Sequence, residues 1–168
     1  DRRDAFVSQL NEIIYEIHQK LSGGKEALKI VYEPDIVPDD FEEKLASCQE
    51  RDIRTKQTSI GPHRDDFSFM VGSVDIRKFG SQGQQRTAAL SLKLSEIERV
   101  KKVTKDIPLL LLDDVLSELD SSRQNYLLNS IGDIQTIITC TGLEEFVNNR
   151  FEINKVFEVS DAVVKNVD

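Results

Sequence analysis

The sequence is short of the residues on which many small folds are built. It has no tryptophan, one methionine (Met70) and two cysteines. Cys48 and Cys140 are far apart and lack metal-ligand spacing, which excludes a zinc ribbon or a disulfide scaffold. This usage indicates a reducing, cytoplasmic setting, with Cys140, at the end of an apolar run, expected to be a buried small residue. No apolar run reaches the ~18 residues that span a bilayer, so no membrane partner is expected. The N-terminus Asp1-Arg2-Arg3-Asp4 is charged and no apolar segment of signal-peptide type follows it. With no Met at position 1, the chain is expected to be a fragment or a processed piece. Basic residues are outnumbered 22 to 30, for a net charge of −8. That balance argues against strong nucleic-acid binding by this segment alone, though it leaves room for a local basic face. No G-x-x-x-x-G-K-[ST] occurs, so the chain has no phosphate loop of that type. There is no internal repeat and no low-complexity segment.

What is present alternates between helical and strand periods. Phe6, Leu10, Ile13, Ile14, Ile17 and Leu21 recur at helical spacing and predict an amphipathic helix over 3–21, stopped by Ser22-Gly23-Gly24. A strand is expected over 28–32, and a helix over 39–51 opens at Pro38-Asp39-Asp40. Composition changes near Thr58. Strands over 67–71 and 74–79 flank Gly72-Ser73, a two-residue hairpin turn. A glycine loop at 80–83 leads into a long helix over 84–102. Ile107 to Leu112 reads as a central parallel strand covered on both faces. A helix over 121–131, a buried strand over 134–140, a short helix near 143–149 and a strand near 151–159 complete an α/β pattern.

Three segments carry chemistry. Pro108-Leu109-Leu110-Leu111-Leu112-Asp113-Asp114 is a buried strand ending in two carboxylates. Mg²⁺ prefers oxygen ligands and is held by one or two carboxylates together with nucleotide phosphates and water. Asp113 suits the metal, and Asp114 suits polarisation of the attacking water in phosphoryl transfer. A strand end followed by an acidic turn is the plainer alternative for the pair taken alone. Ser81-Gln82-Gly83-Gln84-Gln85-Arg86 leads into a helix N-terminus, where backbone N–H groups and the helix dipole favour an anion. Ser117-Glu118-Leu119-Asp120 follows the acid pair directly. The order of these segments is more specific than any one of them. Leu21-Ser22-Gly23-Gly24-Lys25 imitates the signature sequence LSGGQ, but it ends a helix, leads into a strand and lies too far before the acid pair. It is expected to be a helix stop. His18 is expected to be a surface or satisfied histidine. Lys101, Lys102 and Lys105 are expected to be a solvated helix end.

Thr58-Ser59-Ile60-Gly61-Pro62-His63-Arg64-Asp65-Asp66, Gly80-Ser81-Gln82-Gly83-Gln84-Gln85-Arg86-Thr87 and Leu110 to Asp120 together resemble the bacterial RecF family. The likeness is specific over 58–142 and extends to 1–57. It implies the C-terminal half of an ABC-type ATPase head (58–168), preceded by the returning part of a helical arm (1–57). It implies ATP and Mg²⁺ as cofactors and a homodimer closed by ATP on DNA at gaps and single-strand/double-strand junctions. It also implies partnership with RecO and RecR in loading RecA, and a place in replication, recombination, repair and the SOS response. By position, Asp113 matches the Walker B metal acid, and Asp114 stands where most ABC enzymes carry a catalytic glutamate. Ser81, Gln82, Gly83 and Gln84 match the signature that reaches the opposite subunit's nucleotide. Ser117, Glu118, Leu119 and Asp120 match the D-loop at the dimer interface. Thr141 stands near the place of a γ-phosphate sensor. His63 and Arg64 suit DNA contact or coupling of arm to head, or else a plain turn with Arg64 paired to Asp65 or Asp66. The parent is expected to be a slow ATPase and this chain alone inactive, for want of a phosphate loop. Two rival readings stay open for the isolated chain, a partner- or DNA-binding module without nucleotide chemistry and an inactive arm piece. A head cut in half should also expose strand edges and apolar faces.

Overall fold

The computed structural model describes residues 2–141 and 155–167, with the exception of the Glu118 side chain. The chain divides into two compact units, Asp1–Asp106 and Ile107–Asp168. The ladder between residues 28–33 and 66–71 crosses the 57/58 boundary expected from sequence, so packing does not break there.

The first unit is built from helix α1 (Arg2–Leu21), strand β1 (Leu28–Glu33), helix α2 (Phe41–Thr55), strands β2 (Asp66–Val71) and β3 (Val74–Asp75), a short helix α3 (Ile76–Phe79) and the long helix α4 (Gln82–Thr104). A 3-10 turn at Pro38–Asp40 precedes α2, with Pro38 in the first turn, where its missing N–H costs nothing. Strand β2 is the middle of an antiparallel sheet, pairing Leu28 with Val71 on one side and Val71 with Val74 on the other. The core joins α1 and α4 to this sheet through Leu10, Ile14, Leu28, Ile30, Phe69, Ile76 and Ala88. Each of the leucine, isoleucine and phenylalanine side chains contributes roughly 1.5–3 kcal/mol by leaving water, and Ala88 less. Phe6 lies outside this core, under the guanidinium of Arg99 at 4.4 Å from the ring centroid.

The strand expected over 74–79 ends at Asp75. The Asp75 carboxylate accepts from Arg77 N, which caps a helical turn, and that turn buries Ile76. Gly72, with φ +60, forms the hairpin turn as expected. The Ser22-Gly23-Gly24 stop is also as expected: Gly23 and Gly24 take φ +65 and +76, and Gly24 N donates to Gln19 O at 2.7 Å.

The second unit contains strand β4 (Leu110–Asp113), a 3-10 turn at Leu116–Glu118, helix α5 (Ser121–Ser130), strand β5 (Thr136–Thr139) and the hairpin of β6 (Phe157–Ser160) and β7 (Val163–Asn166). Strands β4 and β5 run parallel, while β6 and β7 are antiparallel. The expectation of a strand covered on both faces is corrected here. One face of the β4–β5 pair is bare, with Leu109, Leu111 and Ile137 each more than half exposed. Cys140 is exposed, not buried, because it lies past the end of β5. The helix expected near 143–149 and residues 151–154 of the last expected strand lie outside the described residues. Residues 157–159 of that strand fall in β6. Its partner β7 has no signal in the sequence, because the turn between them uses Asp161 and Ala162 at positive φ, without the glycine that marks such turns.

Candidate nucleotide site

In the first unit, the serine–glycine–glutamine loop opens α4 through a reciprocal cap. Gln84 N donates to Ser81 Oγ at 3.2 Å, and Ser81 N donates to Gln84 Oε1 at 2.9 Å. The loop is bounded upstream by Gly80. A Cβ there would lie 2.5 Å from Ile76 O and 2.8 Å from Ile76 Cβ. Ser81 and Gln82 are exposed, and Gly83 and Gln84 are half-buried. Thr87, Ser91 and Ser95 follow as a buried column on α4, and each hydroxyl donates to the carbonyl four residues back. Small polar side chains at this spacing let α1 approach closely, and His18 meets the column, with Nδ1 2.9 Å from Ser91 Oγ. His18 is thus fully buried and satisfied. Its other ring nitrogen lies 3.3 Å from Glu26 Oε2, and Glu26 Oε1 accepts from Gln84 Nε2 at 2.8 Å. Sequence reading passed over Glu26, a single carboxylate after a glycine turn with no motif around it.

The Gly61 to Asp66 loop is held by ion pairs other than those expected. Asp65 accepts from Arg3, from the Tyr32 hydroxyl and from Asp35 N, and Asp66 pairs with Arg77. Arg64 therefore is not the partner of either acid. Its backbone N–H donates to Gly61 O, closing the turn, and His63 Nε2 lies 3.0 Å from Thr58 O. The Tyr32 hydroxyl first, then Asp35 N–H and the Arg3 guanidinium, outweigh the opposing effect of burial and hold the Asp65 carboxyl below its ordinary range. His63, Arg64, Gln57 and Thr58 line a shallow depression beside α2.

In the second unit, Asp113 and Asp114 stand at the C-terminal end of β4, the end at which parallel α/β sheets present ligands. Asp113 shares the bare face with Leu109 and Leu111, because side chains two apart in a strand point the same way. Thr139 Oγ1 donates to Asp113 Oδ1, and Asp114 N donates to Thr139 O and Thr139 Oγ1, each at 3.2 Å. Asp114 takes φ +50, a left-handed conformation that Asp tolerates better than most residues. Ser117 Oγ donates to Asp114 O at 2.8 Å, and Gln124 Nε2 donates to Leu116 O at 2.8 Å. These bonds fix the turn that follows the acids. Asp120 caps α5, accepting from Arg123 N at 3.0 Å and from the Arg123 side chain. Leu119 is half-buried, and Thr141, two residues past β5, is exposed.

Two exposed carboxylates suit an ion that keeps most of its water and takes phosphate oxygens as further ligands, as Mg²⁺ does. Among the described residues no cluster of three or more His, Cys, Asp or Glu could enclose a metal. No helix among them is long and apolar enough to cross a membrane.

No family model matches the chain. The DNA replication and repair protein RecF of Lachnospira eligens is 62% identical over 164 residues, which cover 98% of this chain and 45% of that protein. The RecF of Lachnoclostridium phytofermentans is 63% identical over 163 residues, covering 97% and 45% respectively. Two solved structures of the recombination mediator protein RecF of the RecFOR pathway, with ATP and with ATPrS, are each 32% identical. They superpose with TM-scores of 0.80 and 0.79 over 99% of this chain. An SMC ATPase structure, 20% identical with a TM-score of 0.54, shares the fold. The chain thus spans about half the length of the curated relatives it matches, and its fold is that of the C-terminal half of an ABC-type ATPase head.

Proposed function

This chain belongs to the RecF family and corresponds to its C-terminal part, and from that premise we propose that it supplies the carboxylate end and the signature loop of an ATP-driven DNA-repair ATPase. The observation that carries the proposal is the pair Asp113-Asp114 at the open end of a parallel strand, with Thr139 holding the first acid.

In this reading Asp113 would hold Mg²⁺, which when bound supplies charge neutralisation at the nucleotide's phosphates. Asp114 orients and polarises water, helped by the rigid turn that Ser117 and Gln124 secure. The exposed Ser81 and Gln82, with Gly83 and Gln84 behind them, form the signature that reaches a nucleotide on a second copy. Ser117, Glu118, Leu119 and Asp120 form the D-loop, in which Asp120 shapes the segment by capping α5. Thr141 is the candidate sensor. The bare face carrying Leu109, Leu111 and Asp113 suits cover by a part of the head that this chain does not contain. Residues 1–57 supply the returning arm, joined to the head lobe through β1. Arg3 and Asp65 tie α1 to the loop of His63 and Arg64, which favours arm coupling for that loop.

In the whole protein, the homodimer closes with ATP on DNA at gaps and junctions and works with RecO and RecR to load RecA, in the cytoplasm. The test is the full-length protein with Asp114→Asn. Nucleotide binding should persist while turnover falls by two orders of magnitude or so. Undiminished turnover sinks the assignment of Asp114. The isolated chain, lacking a phosphate loop, should show no Mg-ATP turnover.

A further inference from the structure

We infer that Glu26 and His18 are positioning residues for the signature loop, acting through the side-chain amide of Gln84. The inference rests on the reading above, since it concerns what that loop does.

An ionised carboxylate only accepts hydrogen bonds. Each oxygen of Glu26 has a nitrogen partner: Gln84 Nε2 donates to Oε1 at 2.8 Å, and His18 Nε2 lies 3.3 Å from Oε2. Its backbone is held as firmly. Gln19 Nε2 donates to Glu26 O at 2.8 Å, and Glu26 N donates to Ser22 Oγ at 3.4 Å. The Gly23-Gly24 turn, at positive φ, folds the chain back so that Glu26 faces both α1 and the first turn of α4. The segment that imitates a signature in sequence therefore delivers the residue that orients the genuine one.

The Gln84 amide has one orientation that suits its surroundings. Its carbonyl accepts from Ser81 N at 2.9 Å, and its NH₂ donates to Glu26. Turned over, the NH₂ would face an N–H and the carbonyl would face a carboxylate. The acceptor oxygen that Glu26 presents thus selects the amide's orientation, and the amide fixes the Ser81 backbone. Gln84 N in turn donates to Ser81 Oγ, which leaves the hydroxyl hydrogen as the donor that Ser81 can offer a phosphate oxygen. His18, fully buried between α1 and α4 and bonded to Ser91, anchors the far side of Glu26. A shift of α1 along α4 would act on the loop through this carboxylate.

The test uses the full-length protein with Glu26→Ala, Glu26→Gln and Ser81→Ala. Four quantities are read: the affinity of the monomer for a fluorescent ATP analogue, ATP-dependent dimerisation by ultracentrifugation, kcat, and Tm. Glu26→Ala should lower dimerisation and kcat about tenfold while nucleotide affinity stays within about twofold. Glu26→Gln should restore both, because its carbonyl accepts from Gln84 and its NH₂ donates to His18 Nε2 in the tautomer whose Nδ1–H bonds Ser91. If Ser81→Ala abolishes turnover and Glu26→Ala does not lower it, the inference fails and the functional reading stands. If both Glu26 variants are equally impaired, or Glu26→Ala loses Tm and nucleotide affinity along with kcat, the role is merely structural and the inference is overturned. If Ser81→Ala affects neither dimerisation nor turnover, the signature reading fails and takes this inference with it.

Discussion

Thr139 stands opposite Asp113 in the parallel β4–β5 register, and its hydroxyl donates to one oxygen of that carboxylate. The same hydroxyl oxygen accepts from Asp114 N. One side chain therefore sets the direction of the first acid and the backbone of the second. Under the proposal that Asp113 would hold Mg²⁺, Thr139 is the group that orients the ligand, and such groups commonly matter nearly as much as the ligand itself.

Thr139→Val keeps the β-branched shape that suits a strand and removes the hydroxyl. In the full-length protein the Mg²⁺ concentration giving half-maximal turnover should rise by about 10–100-fold. A Mg²⁺ titration of ATPase activity checks this, and an unchanged midpoint would show that Asp113 needs no such support.

Gly80→Ala should destabilise the first unit by about 1–3 kcal/mol, since the added methyl meets the Ile76 backbone and not a yielding side-chain end. Denaturant unfolding of the full-length protein measures it. A neutral result would mean that the α3–α4 junction yields easily.

The stability contributed by Asp65 should depend on pH in one direction. Its folded-state value is depressed, with Tyr32 the largest cause. A depressed carboxyl contributes fully above its unfolded value of about 3.9 and loses that contribution as pH falls through the folded value. The Tm difference between the parent and Asp65→Asn should therefore be level from pH 7 to about pH 4 and shrink below it. A difference that grows on acidification would contradict the assignment.

The bare β4–β5 face should make the isolated chain associate with itself. Leu109, Leu111 and Ile137 lie together on it, and the β6–β7 hairpin adds exposed Val159 and Val164. Light scattering should show concentration-dependent growth that Leu111→Lys reduces. A monodisperse monomer at high concentration would show that the face needs no cover.

Much of this was legible in the residues. The helices announced themselves because Leu10, Ile14, Ile17 and Leu21 recur at the helical period and because Gly23-Gly24 has few uses other than a stop. The acid pair and the loop at Ser81 stand out in the sequence because the metal and anion chemistry proposed for them calls for those residue types in that order. The illegible parts depended on partners distant in sequence. Strand β3 stopped short because Asp75 capped a helical turn, a choice in which local propensity is weak. The apolar run into Asp113 gave no hint of its bare face, since a continuous apolar run reads alike whether its cover is in the same chain or elsewhere. Arg64 looked like the partner of its neighbouring acids, whereas Arg3 and Arg77 take those places after the chain folds.

Residue type and order are enough for the class of fold, the family, and the placing of two carboxylates after an apolar run and of a serine–glycine loop before a helix. Tertiary structure alone decided which side chains support them. Thr139 reaches Asp113 through strand register, and Glu26 reaches Gln84 through a glycine turn and the packing of α1 on α4. Neither pairing leaves a local signal, because a hydrogen bond between residues tens of positions apart is specified by the geometry of the elements that carry them.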